Sequence, residues 1–125
     1  MKRVLIIDDD RLFCDHWKAF LEGRYPGRVE VLTFTDPLAA VRALSPEVRL
    51  LMLDLEMPVL DGKKLLEVAA AQGVERGRVV ITSAWDADRL HELFPAGDCL
   101  AVINKREPSQ QAAFLMILDS VMRKP

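Results

Sequence analysis

The sequence predicts an α/β fold: a doubly wound sheet of five parallel strands with five helices, forming a single domain over residues 1–125. Two observations carry this. Short, continuous apolar runs recur along the chain, and the segments between them place apolar residues at helical spacing. Strands that alternate with helices imply a parallel sheet covered on both faces and joined by right-handed crossovers. The chain has 125 residues, half of them apolar, which is enough for one core and too little for two.

The first run is Val4-Leu5-Ile6-Ile7. It is followed by a segment with Phe13, Trp17 and Phe20 on one helical face, read as core. Residues 28–34 mix Glu30 and Thr33 with Val29, Val31, Leu32 and Phe34, the pattern of a less buried strand near an edge. Asp36-Pro37 starts the second helix, with Asp36 as cap and Pro37 at the first helical position. Leu50-Leu51-Met52-Leu53 is the third strand, and Leu65, Leu66, Val68 and Ala69 after Gly62 mark the third helix. Val79-Val80-Ile81 and Leu100-Ala101-Val102-Ile103 are the fourth and fifth strands, with the fourth helix between them and Ser109 able to cap the last.

Composition excludes several classes of function. A formal net charge of −2 gives no electrostatic reason to expect nucleic acid or an anionic membrane as a partner. Cys14 and Cys99 are too few for a disulfide framework or a four-ligand zinc site, which suits a reducing cytoplasm. The run after Met1 is too short for a signal peptide, and no stretch approaches membrane-spanning length. A cytoplasmic location is expected.

Chemistry in an open parallel sheet collects at the carboxyl ends of the strands, where strand order reverses. Four of the runs are followed by Asp8-Asp9-Asp10, Asp54-Leu55-Glu56, Thr82-Ser83-Ala84 and Asn104-Lys105. Crowded carboxylates repel unless a cation joins them or one takes up a proton. A hard divalent ion, Mg2+, meets that need with oxygen ligands. A metal, a hydroxyl and a lysine converging on one carboxylate suit a phosphoryl group, whose transfer depends on positioning and charge neutralisation. The central Asp54 would be the nucleophile that forms an aspartyl phosphate.

Val4 to Asp9, Leu51 to Gly62 (LMLDLEMPVLDG), Val79 to Ala84 and Lys105 resemble, in order and spacing, the signature blocks of the bacterial response-regulator receiver family. The resemblance covers essentially the whole chain. It implies a flavodoxin-like sheet of order 2-1-3-4-5 and an acidic pocket of Asp8 and Asp9. It implies that Asp54 accepts phosphate from a sensor histidine kinase or phosphotransfer protein, and that Asp8, Asp9, Asp54 and the Glu56 carbonyl hold Mg2+. Ser83 and Lys105 would contact the phosphoryl group. The domain would be a phosphoacceptor with self-phosphorylation from small donors and slow dephosphorylation, not an enzyme in the ordinary sense. Two positions depart from the family pattern: Arg106 follows the lysine where proline is usual, and Val102 stands where an aromatic switch residue is usual. The chemistry is expected to be intact and the switch altered.

Several positions have competing readings. Asp10 fits a helix cap better than the pocket, although a register slip would make the pair Asp9 and Asp10. Strand alternation lets only one of Thr82 and Ser83 face the site, and Ser83 before the small Ala84 is preferred. Glu56 is most simply a loop acid able to modulate the metal or approaching water. His16 and His91 lack partners at metal-ligand spacing. Trp85 is expected at the mouth of the site. The last helix, with Ala112, Ala113, Phe114, Leu115, Met116, Ile117, Leu118, Val121 and Met122, has more apolar positions than one core stripe requires, so an output protein or a second copy is expected to dock on it and the preceding strand.

An aspartate-nucleophile phosphatase would need a second aspartate where Glu56 stands, and a nucleotide module a glycine-rich loop where Asp8-Asp9-Asp10 stands. A degenerate receiver serving only as a protein-binding module, or the receiver portion of a larger regulator or hybrid kinase, are the remaining alternatives.

Overall fold

A computed structural model describes residues 1–57, 60–84, 87–95, 97–105 and 108–124, with backbone alone at Ala87, Asp88, His91, Pro108, Ser109 and Gln110. The elements run β1 (Lys2–Ile7), α1 (Arg11–Arg24), β2 (Val29–Phe34), α2 (Pro37–Ala40), β3 (Val48–Asp54), α3 (Gly62–Ala71), β4 (Val79–Ser83), α4 (Ala87–Leu93), β5 (Ala101–Asn104) and α5 (Pro108–Arg123). All neighbouring strands are parallel, in the order β2-β1-β3-β4-β5. The edge position expected for the second strand is found.

The expectation of five helices needs correction. α2 is a single turn of four residues, continued by a 3-10 turn at Val41–Ala43, so four longer helices stand among the described residues. Asp36 caps this turn as expected, accepting from the Leu38 N–H at 3.0 Å, and Pro37 occupies its first position. Only Pro37 and Ala40 of the turn are buried, too small an apolar face to hold a longer helix against the sheet.

The continuous apolar runs feed two cores, because successive strand residues point to opposite faces. Val4, Ile6, Leu50, Met52, Val80 and Ile103 pack with Cys14, Trp17 and Leu21 of α1 and Phe114, Leu118 and Met122 of α5. Leu5, Ile7, Leu51, Leu53, Val79 and Ile81 pack with Ala40, Leu65, Leu66, Ala69, Leu90 and Phe94 on the other side. Each fully buried aliphatic side chain contributes about 1.5–3 kcal/mol relative to exposure.

The sheet edge opposite the carboxyl ends is closed by basic residues. Lys2 Nζ donates to the carbonyl of Met122, and an Arg49 guanidinium N–H donates to that of Lys124 at 2.9 Å. These cations satisfy carbonyls left open at the end of α5 and face the negative end of its dipole. Arg24 holds Asp119 through a fork of 3.0 and 2.7 Å, and the Tyr25 hydroxyl donates to the same carboxylate, joining the end of α1 to α5.

The loop between β3 and α3 is folded back tightly. Gly62 N–H donates to the Leu55 carbonyl at 3.0 Å, and Asp61 caps α3 by accepting from the Lys64 N–H at 2.8 Å. A Cβ at Gly62 would lie 2.6 Å from Leu55 Cα and 2.7 Å from the Asp54 carbonyl oxygen, both backbone atoms that cannot move aside without displacing the strand end. Gly62→Ala is expected to destabilise the protein by about 2–3 kcal/mol in urea denaturation, a strain cost of the overpacking kind. An unchanged midpoint would contradict this close approach.

Candidate functional site

Strand order reverses between β1 and β3, and the acidic residues gather there. The parallel ladder runs on past the strand ends: Asp8 N–H donates to the Phe34 carbonyl at 3.0 Å, Leu55 N–H to that of Thr82 at 3.0 Å, and Lys105 N–H to that of Ser83 at 2.8 Å. Asp8 thus continues the face of Val4 and Ile6, Asp54 that of Leu50 and Met52, and Lys105 that of Ile103. All three side chains emerge on the α1–α5 side of the sheet.

Local hydrogen bonds fix the β1 end. Asp8 Oδ1 accepts from the Asp10 N–H at 2.9 Å, and its carbonyl accepts from the Cys14 thiol at 3.3 Å. Burial pushes that thiol up to about 11, so it stays a neutral donor at physiological pH. Asp10 caps α1, accepting from the Leu12 and Phe13 N–H groups at 3.0 and 3.3 Å. The capping role read for Asp10 is the one the structure has.

Asp8, Asp9 and Asp54 bring carboxylate oxygens within 4.8 Å of one another. Asp8 and Asp54 are buried and Asp9 is exposed, so the cluster opens to solvent on one side. Lys105 Nζ donates to Asp8 Oδ2 at 2.6 Å and lies 3.7 Å from Asp54 Oδ1, with the ring centroid of Phe13 at 4.3 Å. Asp54 Oδ1 also accepts from the Glu56 N–H at 3.2 Å. Burial and the charge of Asp8 push the Asp54 carboxyl up to about 7, against the opposing pull of Lys105 and the Glu56 N–H. Burial alone would lower Lys105, but its bond to Asp8 and the charges of Asp54 and Asp8 outweigh that and raise it. Three acids against one ammonium leave an acidic pocket of hard oxygen donors suited to a divalent cation.

Ser83 is fully buried, and its hydroxyl donates to Glu56 Oε1 at 2.7 Å. Glu56 is exposed, as a solvated loop acid would be, and its carboxylate also reaches across to β4. Strand alternation favours Thr82 over the expected Ser83 on this face: Thr82, the register partner of Asp54, shares the α1–α5 side and lines a cavity with Lys105, whereas Ser83 continues the face of Val79 and Ile81 and reaches the loop after Asp54 through Glu56. His16 is exposed and packs edge-on against Trp17, whereas Trp85, Arg106, Pro58 and the side chain of His91 lie outside the described residues; Ser109, expected to cap α5, is instead its second residue, after Pro108. The residue the sequence reading missed is Phe13. Its spacing with Trp17 and Phe20 predicts a core residue; Trp17 is buried, but Phe13 is half exposed with its ring against the lysine. Its place three residues after the capping acid is the one signal that could have brought it into the site.

Residues 4–121 match the family model of the response regulator receiver domain. The chain belongs to that family. It is a receiver domain of two-component signalling, a phosphoacceptor module and not a conventional enzyme. No curated protein matches it. Among solved structures it is similar to the BeF3-activated N-terminal receiver domain of Klebsiella pneumoniae RstA, at 22% identity and TM-score 0.78, covering 98% of this chain and 99% of that one. It is also similar to Vibrio cholerae chemotaxis protein CheY4, at 19% identity and TM-score 0.78 over 97% and 98% of the two chains. A CheY-like receiver domain protein from Methanospirillum hungatei JF-1 matches at 23% identity and TM-score 0.73 over 97% and 94%. At these identities the likenesses describe the fold.

The raised Asp54 pKa has a stability consequence in this receiver. The folded state holds that proton more firmly than the unfolded chain, so stability falls as pH rises from about 4 to about 7 in metal-free buffer. Asp54→Asn removes the cost. The variant is expected to exceed wild type by on the order of 1–3 kcal/mol at pH 8 with a chelator present, and by much less at pH 4. Denaturation curves that differ equally at both pH values would mean that Asp54 is ionised in the folded protein throughout.

Proposed function

We propose that Asp54 is the phosphoacceptor, that Asp8, Asp9, Asp54 and the backbone carbonyl of Glu56 hold Mg2+, and that Lys105 and Ser83 receive the phosphoryl oxygens. The observation that carries this reading is the convergence on one buried carboxylate of two further acids and an ammonium 3.7 Å away. The metal would supply positive charge to the carboxylates and to the incoming phosphoryl group. The chain's own residues do the rest. Asp54 offers a carboxylate oxygen as nucleophile, and Lys105 moves from Asp8 toward the new dianion. The Ser83 hydroxyl must exchange its Glu56 acceptor for a phosphoryl oxygen, so Glu56 opposes the phosphorylated state until it swings away. The donor would be a sensor histidine kinase or phosphotransfer protein, with small acyl phosphates able to substitute.

The output face is α5. Phe114, Leu118, Val121 and Met122 fill the core, whereas Met116 is 75% exposed. Met116, Ile117 and Leu100 border a groove of about 300 Å3. An output protein or a second copy of the chain would dock there. Its net charge of −2 disfavours direct nucleic-acid binding, and no helix among the described residues is long and apolar enough to cross a membrane.

Intact mass after incubation with Mg2+ and an acyl phosphate should show one acid-labile phosphate on wild type, and none on Asp54→Asn or on metal-free protein. Equal labelling of Asp54→Asn would remove that residue from the mechanism. No labelling of wild type by either a small donor or a kinase would favour the receiver that acts only as a binding module. Lys105→Ala should leave Mg2+ affinity within about threefold of wild type while weakening the response to phosphorylation, because its charge serves phosphoryl oxygens. Abolished Mg2+ binding would show that this role is wrong.

A further inference from the structure

Among the described residues the Lys105 ammonium lies 2.6 Å from Asp8, 3.7 Å from Asp54 and 4.3 Å from the centroid of the Phe13 ring. Its side chain is only 22% exposed, so much of the water an ammonium would otherwise hold is gone. An aromatic face partly replaces that hydration through its quadrupole, and an aliphatic side chain of similar size does not. Phe13 is the second residue after the start of α1, and Asp10 fixes its backbone by accepting its N–H. The ring belongs to a chain of aromatic contacts: Phe13 to Trp17 at 6.3 Å, Trp17 to Phe114 of α5 at 5.3 Å, and Trp17 to Phe20 at 5.1 Å. Phe13, Trp17, Thr82, Lys105 and Phe114 also line a small, partly open cavity of about 30 Å3.

We propose that Phe13 is a positioning residue for Lys105, its ring face holding the ammonium beside Asp54 and linking the lysine's movement to Trp17 and Phe114. Without the ring the ammonium recovers water by swinging outward, away from Asp54, and must be brought back when a phosphoryl group arrives. With the ring it has only the short path from Asp8 to Asp54 to travel. The cavity gives Phe13 and Trp17 room to follow it, so the event at Asp54 reaches α5 along the α1 side of the sheet. That route does not use position 102, where this chain has valine. The inference rests on the reading of Asp54 as phosphoacceptor.

The test is a double-mutant cycle on binding of beryllofluoride with Mg2+, followed by calorimetry. Phe13→Leu should weaken binding about three- to tenfold, the range expected for a partly desolvated cation–π contact. Phe13→Tyr, which keeps the ring face, should restore it. In a Lys105→Met background the Phe13→Leu change should have no effect, since no cation remains to be held. Phe13→Met serves as a second aliphatic variant, and thermal denaturation checks that each protein folds. A further readout is Trp17 emission in Trp85→Phe protein, where it is the only indole. Beryllofluoride should change that emission, and Phe13→Leu should abolish the change. Equal losses from Phe13→Leu with and without Lys105, or failure of Phe13→Tyr to rescue where Phe13→Leu is impaired, would overturn the inference while leaving Asp54 in its role. No beryllofluoride binding by wild type would instead overturn the phosphoacceptor reading, and this inference with it.

Discussion

One electrostatic constraint governs the carboxyl edge of this sheet. Oxygens of three carboxylates lie within 4.8 Å of one another, and among the described residues one ammonium, that of Lys105, meets two of them, Asp8 and Asp54. Like charges so close, two of them in a low-dielectric interior, cannot all be ionised without further positive charge. Burial and the charge of Asp8 raise the Asp54 carboxyl above its ordinary value, in line with that deficit. A neutral edge would have no need of a cation, and a water-exposed one would screen the repulsion. Partial burial makes the site responsive to added charge, whether that charge is a metal ion or a phosphoryl group with its counterion.

The backbone around the cluster is arranged to keep that crowding in place. Asp8 is pinned by the Asp10 N–H and the Cys14 thiol, and Asp10 in turn caps α1. After Asp54 the chain closes on itself through Gly62 and Leu55, with Asp61 beginning the next helix. Among the described residues no buried side-chain polar atom lacks a partner, so the strain of the site is electrostatic and does not come from unmet hydrogen bonds. The receiver motif is therefore also a set of turn and capping signals, and its glycine is as constrained as its acids.

Most of the fold was legible because four continuous apolar runs and one mixed edge segment, alternating with helical spacing, admit little besides a parallel sheet. Alternation within each run then divides the two cores with no further information. The second helix was over-read, since its cap and proline announce a start and only the shortage of apolar surface after Ala40 limits its length. At the site, Asp8, Asp54 and Lys105 could be placed together from the strand ends alone. Side-chain choices between close neighbours could not. The bond from Ser83 to Glu56 depends on the path of the loop after Asp54, and the contact of Phe13 with Lys105 joins residues 92 positions apart whose meeting no local pattern encodes.

The tie between the two ends of the chain bears on how the molecule is made. Lys2 lies in the strand flanked by both β2 and β3, yet the carbonyl it serves belongs to Met122. Within this domain β1 is made before α5, so β1 emerges with one face only partly covered until α5 arrives. Val4 and Ile6 must wait for Phe114 and Leu118 before that layer can close. Folding units that depend on such distant pairings form late and leave apolar surface open meanwhile. A chain whose α5 has not yet docked would thus carry a sheet covered by α2, α3 and α4 on one face and by α1 alone on the other, with apolar surface left open until Phe114, Leu118 and Met122 arrive.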